Sequence, residues 1–410
     1  MNLYFLMSLL FVVLAALAAA DAALTGGTLL PYFFGLRWLR VHFVTLGALT
    51  EAVFGVLPIV VALHSNLPRP KFRWDIWLSL NVGILTLLVA IPSINQALIL
   101  AGGTLVFVAA TLLLVQISRM RSAQGVPELV PAPQGGYRGR MFYIGALAYL
   151  LLGVFVGTGL WLGWGSWLQI VAPLEVHIHA NNWGFVALIF AGLIADFYPG
   201  FAGRPLAWPR SLTPVFWLMV FGALGLVLGP WFSSLYFTVP GLLLHLTGTL
   251  WLLANVIAPI RGDRAAWTPG MWHLVFSYVW ILAPVLAAPL VILEVPGFGG
   301  GAVEGSAPQA LIYGWVLQFL FAMLPFLFRR AFLPDTPAHL GGSWFTFGAI
   351  NLGAFFLWAS IFAPAFQPLL SGIAYSLWSV ALLLIAVELW RIARTGLAGL
   401  EGPQTVSEAS

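Results

Sequence analysis

The sequence predicts an all-α integral membrane protein of about twelve transmembrane helices, arranged as three pseudo-repeated four-helix units. Of its 410 residues, 61% are hydrophobic and only 7% are charged, whereas a soluble domain carries about a quarter charged residues. Apolar runs of about 20 residues, the length that crosses a hydrocarbon layer of about 30 Å, follow one another almost end to end. Basic residues fall almost entirely in alternate loops. Lipid is therefore the main solvent of this chain.

The spans are apolar runs between polar, proline or glycine positions. They lie at 3–23, 39–62, 74–94, 97–117, 141–162, 177–198, 211–229, 239–258, 270–293, 309–328, 343–363 and 371–391. The first run lacks a basic flank before its apolar core, which favours a retained helix over a cleaved signal peptide. The chain reads as a single transmembrane domain, 1–410, with a disordered cytoplasmic tail at 395–410.

The distribution of basic residues predicts the orientation. Fifteen of the 17 Lys and Arg residues follow even-numbered spans, and only Arg37 and Arg40 lie on the other side. Cytoplasmic loops collect Lys and Arg, so both termini are predicted to be cytoplasmic in a multi-pass protein of the cell (inner) membrane. The net charge of +4 then reflects topology, and the expected partner is membrane lipid and not nucleic acid. The loop 119–140 reads as a flexible connector.

One residue spacing recurs at every fourth span and suggests a duplicated unit. A His or Gln is followed by a Gly after four intervening residues, and then by a small residue after seven more. The three copies are His42, Gly47 and Gly55 in span two; His179, Gly184 and Gly192 in span six; and Gln309, Gly314 and Ala322 in span ten. The predicted units run roughly over 1–120, 141–260 and 270–394.

Four of the seven histidines are predicted at one depth near the outer side: His42, His177, His179 and His245. Histidine is scarce inside bilayers and is the commonest metal ligand, so such a layer suggests a binding site. The chain has no cysteine, which excludes thiolate ligands and haem attached through Cys-x-x-Cys-His. Two imidazoles can clamp a haem iron, for which His42, His179 and His245 are candidates. A copper site would draw on His177, His179 and His245.

His177 and His179 point about 200° apart on an ideal helix, so they cannot both serve one metal unless the helix starts at or after His177. The repeat spacing favours His179. The alternative is that these rings only hydrogen-bond to carbonyls or water.

Three polar residues accompany the histidines. Asn182 is predicted on nearly the face of His179, where it would orient the imidazole or pack between helices. Glu51 lies about 180° around span two from His42 and is either a proton-relay carboxyl or a structural protonated one. Arg40, within a turn of His42, would pair with haem propionates or lipid phosphates.

A family resemblance rests on these residues. Twelve spans in three arcs, with His42 at the outer end of helix two and His177-x-His179-x-x-Asn182-x-Gly184 opening helix six, resemble the catalytic subunit of haem–copper oxidases and nitric oxide reductases. The chain is more similar still to NnrS-type and oxidase-subunit-I-like membrane proteins associated with denitrification. The resemblance implies haem b on His42, copper on His177 or His179, a redox partner protein on the outer side, and nitric-oxide-linked redox or stress handling.

The sequence also departs from the family. No histidine occurs in Ser211 to Gly229, where the family has two, and Gln309 stands where span ten would carry a repeat histidine. A conventional binuclear oxygen-reducing centre cannot be built from this chain. The expectation is therefore a haem- or copper-binding relative that, if an enzyme, is an oxidoreductase. A multi-pass transporter or metal-delivery protein and an assembly subunit are the alternatives.

Overall fold

The all-α fold is confirmed. The computed structural model is 84% helical and describes residues 2–26, 36–120, 139–293, 295–297 and 300–401, among which there is no strand. Most of the predicted connector, residues 121–138, and the side chain of Arg37 lie outside the described residues. The described part of the chain is therefore built mostly from helices and the short connections between them.

Twelve apolar helices correspond to the twelve predicted spans. Eleven are long enough to cross a membrane, and the third is shorter. They are α1 (Leu3–Thr25), α2 (Trp38–His64), α3 (Trp74–Ala90), α4 (Gln96–Arg119), α5 (Gly139–Leu162), α6 (Pro173–Ala202), α7 (Pro209–Phe232), α8 (Leu235–Ile260), α9 (Pro269–Val291), α10 (Ser306–Phe332), α11 (Trp344–Phe362) and α12 (Pro364–Ala398).

The centre of the bundle is formed by α2, α6 and α10. In their most apolar stretches, 78%, 67% and 100% of the residues are buried, against 28–50% in the other long spans. A helix that is apolar and covered on all sides belongs to the interior of a bundle. The helices that carry the recurring spacing are thus the ones that the others surround.

The outer helices pair in a similar way along the chain. Adjacent helices pack closely as α3 with α4, α7 with α8, and α11 with α12, while α4 contacts α5. The first helix, α1, packs along the last helix, α12, so the two ends of the chain meet. The N-terminal and C-terminal spans consequently lie next to each other in the wall of the bundle.

Each central helix contains one π-helical segment, in which the backbone bonds widen from i→i+4 to i→i+5. The segments are Phe43–Leu49 in α2, Ala180–Val186 in α6 and Ile312–Leu317 in α10. Each contains the Gly of the recurring spacing. π-Helical turns are rare and often occur at functional sites. The residues beside these three segments are therefore candidates for a functional site.

The Gly inside each π segment is required by close packing. A Cβ at these positions would lie within 2.2–2.6 Å of an aromatic side-chain atom from the preceding span. The three pairs are Gly47 with Phe11 of α1, Gly184 with Tyr149 of α5, and Gly314 with Trp280 of α9. Only a residue without a side chain lets these rings reach the central helices.

Two helix ends differ from the prediction. The helix of span six begins at Pro173, at the first helical position where proline is favoured, so His177 lies inside it. The last helix continues to Glu401, into the segment predicted as a disordered tail. In this extension Gly396 packs against Phe332 of α10, where an added Cβ would be 2.3 Å from the carbonyl oxygen. Residues 402–410 lie outside the described residues.

Candidate functional site

His42 and His177 come together at one end of α2 and α6. Their ring centres are 6.2 Å apart and their planes differ by 23°. The ring of Trp38, one turn before His42, stacks on it at 4.1 Å. Room for the His177 ring depends on Gly157 of α5, where an added Cβ would be 2.6 Å from two imidazole atoms. The two rings are therefore held in a shaped site between α2, α5 and α6.

Backbone carbonyls orient both rings in the same way. Nδ1 of His42 lies 2.8 Å from the carbonyl oxygen of Trp38, and Nδ1 of His177 lies 2.8 Å from that of Gly153. A carbonyl oxygen only accepts hydrogen bonds, so each Nδ1 donates its proton and each Nε2 holds the lone pair. Within the described part of the chain, neither Nε2 has a hydrogen-bond partner. This is the arrangement by which proteins orient a metal-binding histidine.

The spacing of this pair fits two ligands on one metal ion. Two imidazoles that bound one ion through bonds of about 2.0–2.1 Å, with about 1.1 Å from each nitrogen to its ring centre, would have ring centres up to about 6.3 Å apart. The observed separation is 6.2 Å. Imidazole suits copper and iron, and two opposed imidazoles are a ligand set that haem iron accepts. The two donor atoms are therefore of a kind that copper or haem iron binds.

The other two predicted ligands face different neighbours. His179 donates from Nδ1 to the carbonyl of Leu226 in α7, at 2.6 Å. His245, 2% exposed, has Nε2 3.0 Å from the carbonyl of Trp183 and Nδ1 3.4 Å from the Thr249 hydroxyl. Both nitrogens of His245 are thus engaged by protein atoms, and it serves as a hydrogen-bonded link between α8 and α6.

The predicted copper ligands do not assemble into one group. No cluster of three or more His, Cys, Asp or Glu side chains suited to a metal occurs among the residues that the structure describes. Because α6 begins at Pro173, His177 and His179 project from different faces of a formed helix, towards α5 and α7. The residue brought to His42 is His177, while the recurring spacing had favoured His179.

Asn181, and not the predicted Asn182, contacts the imidazole of the pair. Its Nδ2 donates to the His177 carbonyl at 2.8 Å and lies 3.3 Å from the His177 ring. Asn182 is 4% exposed, and His179, which it was expected to orient, is oriented by Leu226 instead. Asn181 also sits against Gly153, where an added Cβ would be 2.4 Å from its amide.

Arg40 lies two residues before His42, in a cluster with α10 and α12. Its guanidinium carbon is 5.0 Å from the centre of the Tyr375 ring. Tyr375 in turn donates to Oε1 of Gln309 at 2.5 Å, and Tyr313 donates to the Arg40 carbonyl at 3.3 Å. Gln309, the counterpart of His42 in the recurring spacing, is thus joined to the surroundings of His42. In the described residues the buried Nε of Arg40 has no partner.

Sequence reasoning missed Gly153 and Gly157, although a signal for them was present. The two are spaced as small-x-x-x-small on α5, a pattern that marks close approach between membrane helices. Here the approach is made by Asn181 and the His177 ring. The remaining predicted residue, Glu51, lies nine residues beyond His42 and is fully buried in the middle of α2, away from the histidine pair.

Comparison with known proteins adds no family assignment. No protein-family model matches the chain, and no curated protein is significantly similar to it. The fold therefore defines the class by itself. The chain is an α-helical protein with the spans of a multi-pass membrane protein, and it presents a histidine pair at one end of its central helices.

Proposed function

We propose that this protein is a membrane metalloprotein that holds copper, haem b iron or both at its histidine layer. One observation carries the proposal: His42 and His177 lie 6.2 Å apart with each Nδ1 bound to a carbonyl and each Nε2 free for a ligand bond. His245, by contrast, uses both of its nitrogens for protein hydrogen bonds. The pair brings two lone-pair nitrogens that no atom of the described residues engages to within one ring-pair distance, which favours a site built for binding.

The roles of the surrounding residues follow from this proposal. His42 and His177 would hold the metal, which supplies one-electron redox chemistry or ligation of a small gas molecule. Trp38 and Gly153 fix the two imidazoles through their carbonyl oxygens, and Asn181 restrains His177. Arg40 places a positive charge within a turn of His42, where it favours an anionic group such as a haem propionate. Nitric-oxide-linked redox handling is the activity that the family resemblance favours.

We further propose that the protein lies in the cell (inner) membrane with both termini in the cytoplasm. An even number of spans returns the chain to the face where it began, and the loops on that face hold fifteen of the 17 basic residues. Basic loops favour the cytoplasmic side. The histidine pair would then lie near the outer side, within reach of a redox partner protein there.

A transporter or metal-delivery protein is the second candidate, and the π-helical segments favour it. They interrupt the regular backbone of all three central helices. Transporters also place irregular helix segments around their substrate sites. In that case the histidine pair would be a transient binding site for a metal ion that is transported through the bundle.

The test is a metal and optical analysis of the purified protein, expressed with ample haem precursor and copper. We expect iron or copper in a fixed ratio to the chain, with a haem Soret band if the metal is haem iron. His42→Ala and His177→Ala should each lose the metal. The matched control is His339→Ala, because His339 is exposed and its ring nitrogen Nδ1 bonds the carbonyl of its neighbour Leu340. A metal-free wild-type protein would overturn the proposal.

The two candidates separate in a second measurement on the same variants. A redox centre keeps its metal through cycles of oxidation and reduction in detergent. A carrier reconstituted into vesicles moves added copper across the membrane, and does so less well after His42→Ala. Thermal unfolding of each variant shows whether lost metal reflects a lost ligand or a misfolded chain.

A further inference from the structure

Glu51 is a carboxyl group buried at the middle of a membrane-spanning helix. It is the central residue of α2, which has 27 residues from Trp38 to His64, and it is fully buried. In the described part of the chain neither carboxyl oxygen has a hydrogen-bond partner. None of the ion pairs formed by the described residues includes it. Acidic residues within membrane spans are rare and usually functional.

The third unit contains a neutral counterpart of Glu51. Gln318 follows Gln309 by nine residues, as Glu51 follows His42 by nine, while the second unit has Leu188 at that place. Gln318 is also fully buried, and its Nε2 and Oε1 likewise have no partner among the described residues. The same backbone position thus holds a carboxyl in one unit and a carboxamide of equal size in another.

A matching Asn occurs in the helix that follows each of these two spans. Asn81 of α3 and Asn351 of α11 occur in the same pattern, Trp-x6-Asn-x-Gly. Each donates from Nδ2 to the carbonyl four residues earlier, at 3.0 and 2.7 Å. Asn81 lies beside the Glu51 carboxyl, just beyond the geometry of a formed hydrogen bond. Units one and three therefore share a polar layer at mid-depth, and they differ in the one group that can take up and release a proton.

Burial decides the protonation state of Glu51. An ionised carboxylate without a cation or hydrogen-bond donors is strongly disfavoured in an apolar interior. The neutral acid has nearly the shape and polarity of the carboxamide that the fold accepts at Gln318. If a neutral group were all that the fold required, the chain could carry glutamine here too. A carboxyl adds one property, which is exchange of a proton.

A pocket reaches towards this carboxyl from the face that carries the basic loops. Its volume is about 140 Å³. It is lined by Asn2, Tyr4, Phe54, Gly55, Pro58, Ile59, Arg69, Pro70, Lys71, Phe72, Arg73, Ile76, Leu113 and Gln116. Phe54 and Gly55 follow Glu51 by three and four residues, so the pocket wall lies about one helical turn, 5.4 Å, from the carboxyl along α2.

The polar groups around the carboxyl and this pocket come from three helices, α1, α3 and α4, and from the loop before α3. Tyr4 of α1 lines the pocket and interacts electrostatically with Glu51. Asn81 faces it from α3, and Gln116 of α4 lines the pocket with a buried Oε1 that has no partner in the described residues. Arg73 at the entrance is paired with Asp75. Arg69 and Lys71 also line the pocket, and their charges repel metal cations, whereas a proton passes along water and hydroxyl groups.

We propose that Glu51 is a proton-exchanging carboxylic acid in the membrane interior, loaded and unloaded through the basic-face pocket by way of Tyr4. One carboxyl oxygen takes up a proton from the pocket side as the O–H bond on the other oxygen breaks and its proton leaves, so the acid is neutral before and after the exchange. No electron changes place in this exchange. The proposal concerns a different site from the histidine pair and holds whether or not that pair binds a metal.

The test is infrared spectroscopy of the full-length protein in lipid, with wild type compared to Glu51→Gln. Gln318 shows that the fold accepts this side chain at the equivalent position. We expect the C=O band of a protonated carboxyl to be lost in the variant, and to shift in wild type when water is replaced by D₂O. The control Glu388→Gln removes a carboxylate paired with Arg329 and should leave that band intact. Absence of the band, or a band that does not shift, overturns the proposal.

The route is tested by blocking the pocket. The chain has no native cysteine, so Gln116→Cys introduces a single thiol in the pocket wall that a bulky maleimide can modify. Modification should slow the D₂O-induced shift of the Glu51 band. The matched control is Thr336→Cys, an exposed loop position, where modification should leave the rate unchanged. An unchanged rate after modification at position 116 would overturn the pocket as the route.

Discussion

Replacing Gly184 by alanine should destabilise the bundle at the π segment of α6. The new Cβ would lie 2.2 Å from Cγ and 2.5 Å from Cβ of Tyr149, well inside van der Waals contact. Tyr149 cannot simply move away, because it is 9% exposed and its hydroxyl donates to the carbonyl of Val220 at 2.7 Å. The clash therefore involves Cβ and Cγ of Tyr149, while the hydroxyl at the other end of the side chain is held by its hydrogen bond to Val220.

The magnitude follows from two effects. Forcing one extra methyl group into a well-packed core costs about 1–3 kcal/mol. If the ring shifts to relieve the clash, the hydrogen bond to Val220 is lost, which costs about 0.5–1.5 kcal/mol. The expected loss is about 2–4 kcal/mol in the free energy of unfolding. A control on the same helix is Gly200→Ala, because nothing lies within 4 Å of a Cβ there and alanine favours a helix by about 0.5–1 kcal/mol.

The assay is equilibrium unfolding of the detergent-solubilised protein in rising SDS, followed by tryptophan fluorescence. A double-mutant cycle with Tyr149→Ala isolates the clash, since Gly184→Ala should cost little once the ring is gone. Equal stability of Gly184→Ala and wild type would refute the packing argument. The packing argument would also fail if Gly184→Ala lowered the free energy of unfolding equally in the wild type and in the Tyr149→Ala variant.

Two ion pairs outside the histidine site yield further predictions. The hydrogen bond from Arg204 at 2.5 Å lowers the pKa of Asp263. The pair should therefore stabilise the folded α8–α9 connection fully above about pH 4, and this stabilisation should be lost as the pH falls through the lowered pKa of Asp263. The difference in melting temperature between wild type and Asp263→Asn should accordingly shrink on acidification; a constant difference contradicts it. Arg329 and Glu388 pair at 2.8 Å with 13% and 28% exposure, so Glu388→Gln should cost more than the ~1 kcal/mol of an exposed pair and less than the ~3–5 of a buried one. An unfolding titration that shows no loss would make this contact incidental.

The number and placement of the spans were predictable from sequence because a bilayer sets a simple rule. Each crossing needs about 20 apolar residues, and all twelve predicted runs correspond to apolar helices. The recurring spacing also marked α2, α6 and α10, which proved to be the most buried of the long spans. The spacing is explained by Gly47, Gly184 and Gly314, which admit aromatic rings from the preceding span. Helix ends were less predictable: the last helix runs past its apolar stretch, where Gly396 packs against Phe332, a contact distant in sequence.

The histidine site was predicted in composition but not in pairing. Sequence depth placed His42, His177, His179 and His245 in one layer, yet depth says nothing about rotation around each helix axis. That rotation takes His177 towards His42 and turns His179 to α7. The role of His245 depends on the Trp183 carbonyl, which no local pattern reveals.

By itself, the sequence determined that this chain is an all-α membrane protein. The reason is that the hydrophobicity of each span and the charge of each loop depend only on the residues within that segment. The sequence also determined the inventory of chemical groups: seven histidines, no cysteine, and a carboxyl at the middle of α2. Only the tertiary structure decided which groups meet. The Nδ1 atoms of His42 and His177 are held by carbonyls of Trp38 and Gly153, and Gln309 is tied to Tyr375. The tautomer and direction of a polar group in a bilayer depend on partners from other helices, since no water is there to replace them.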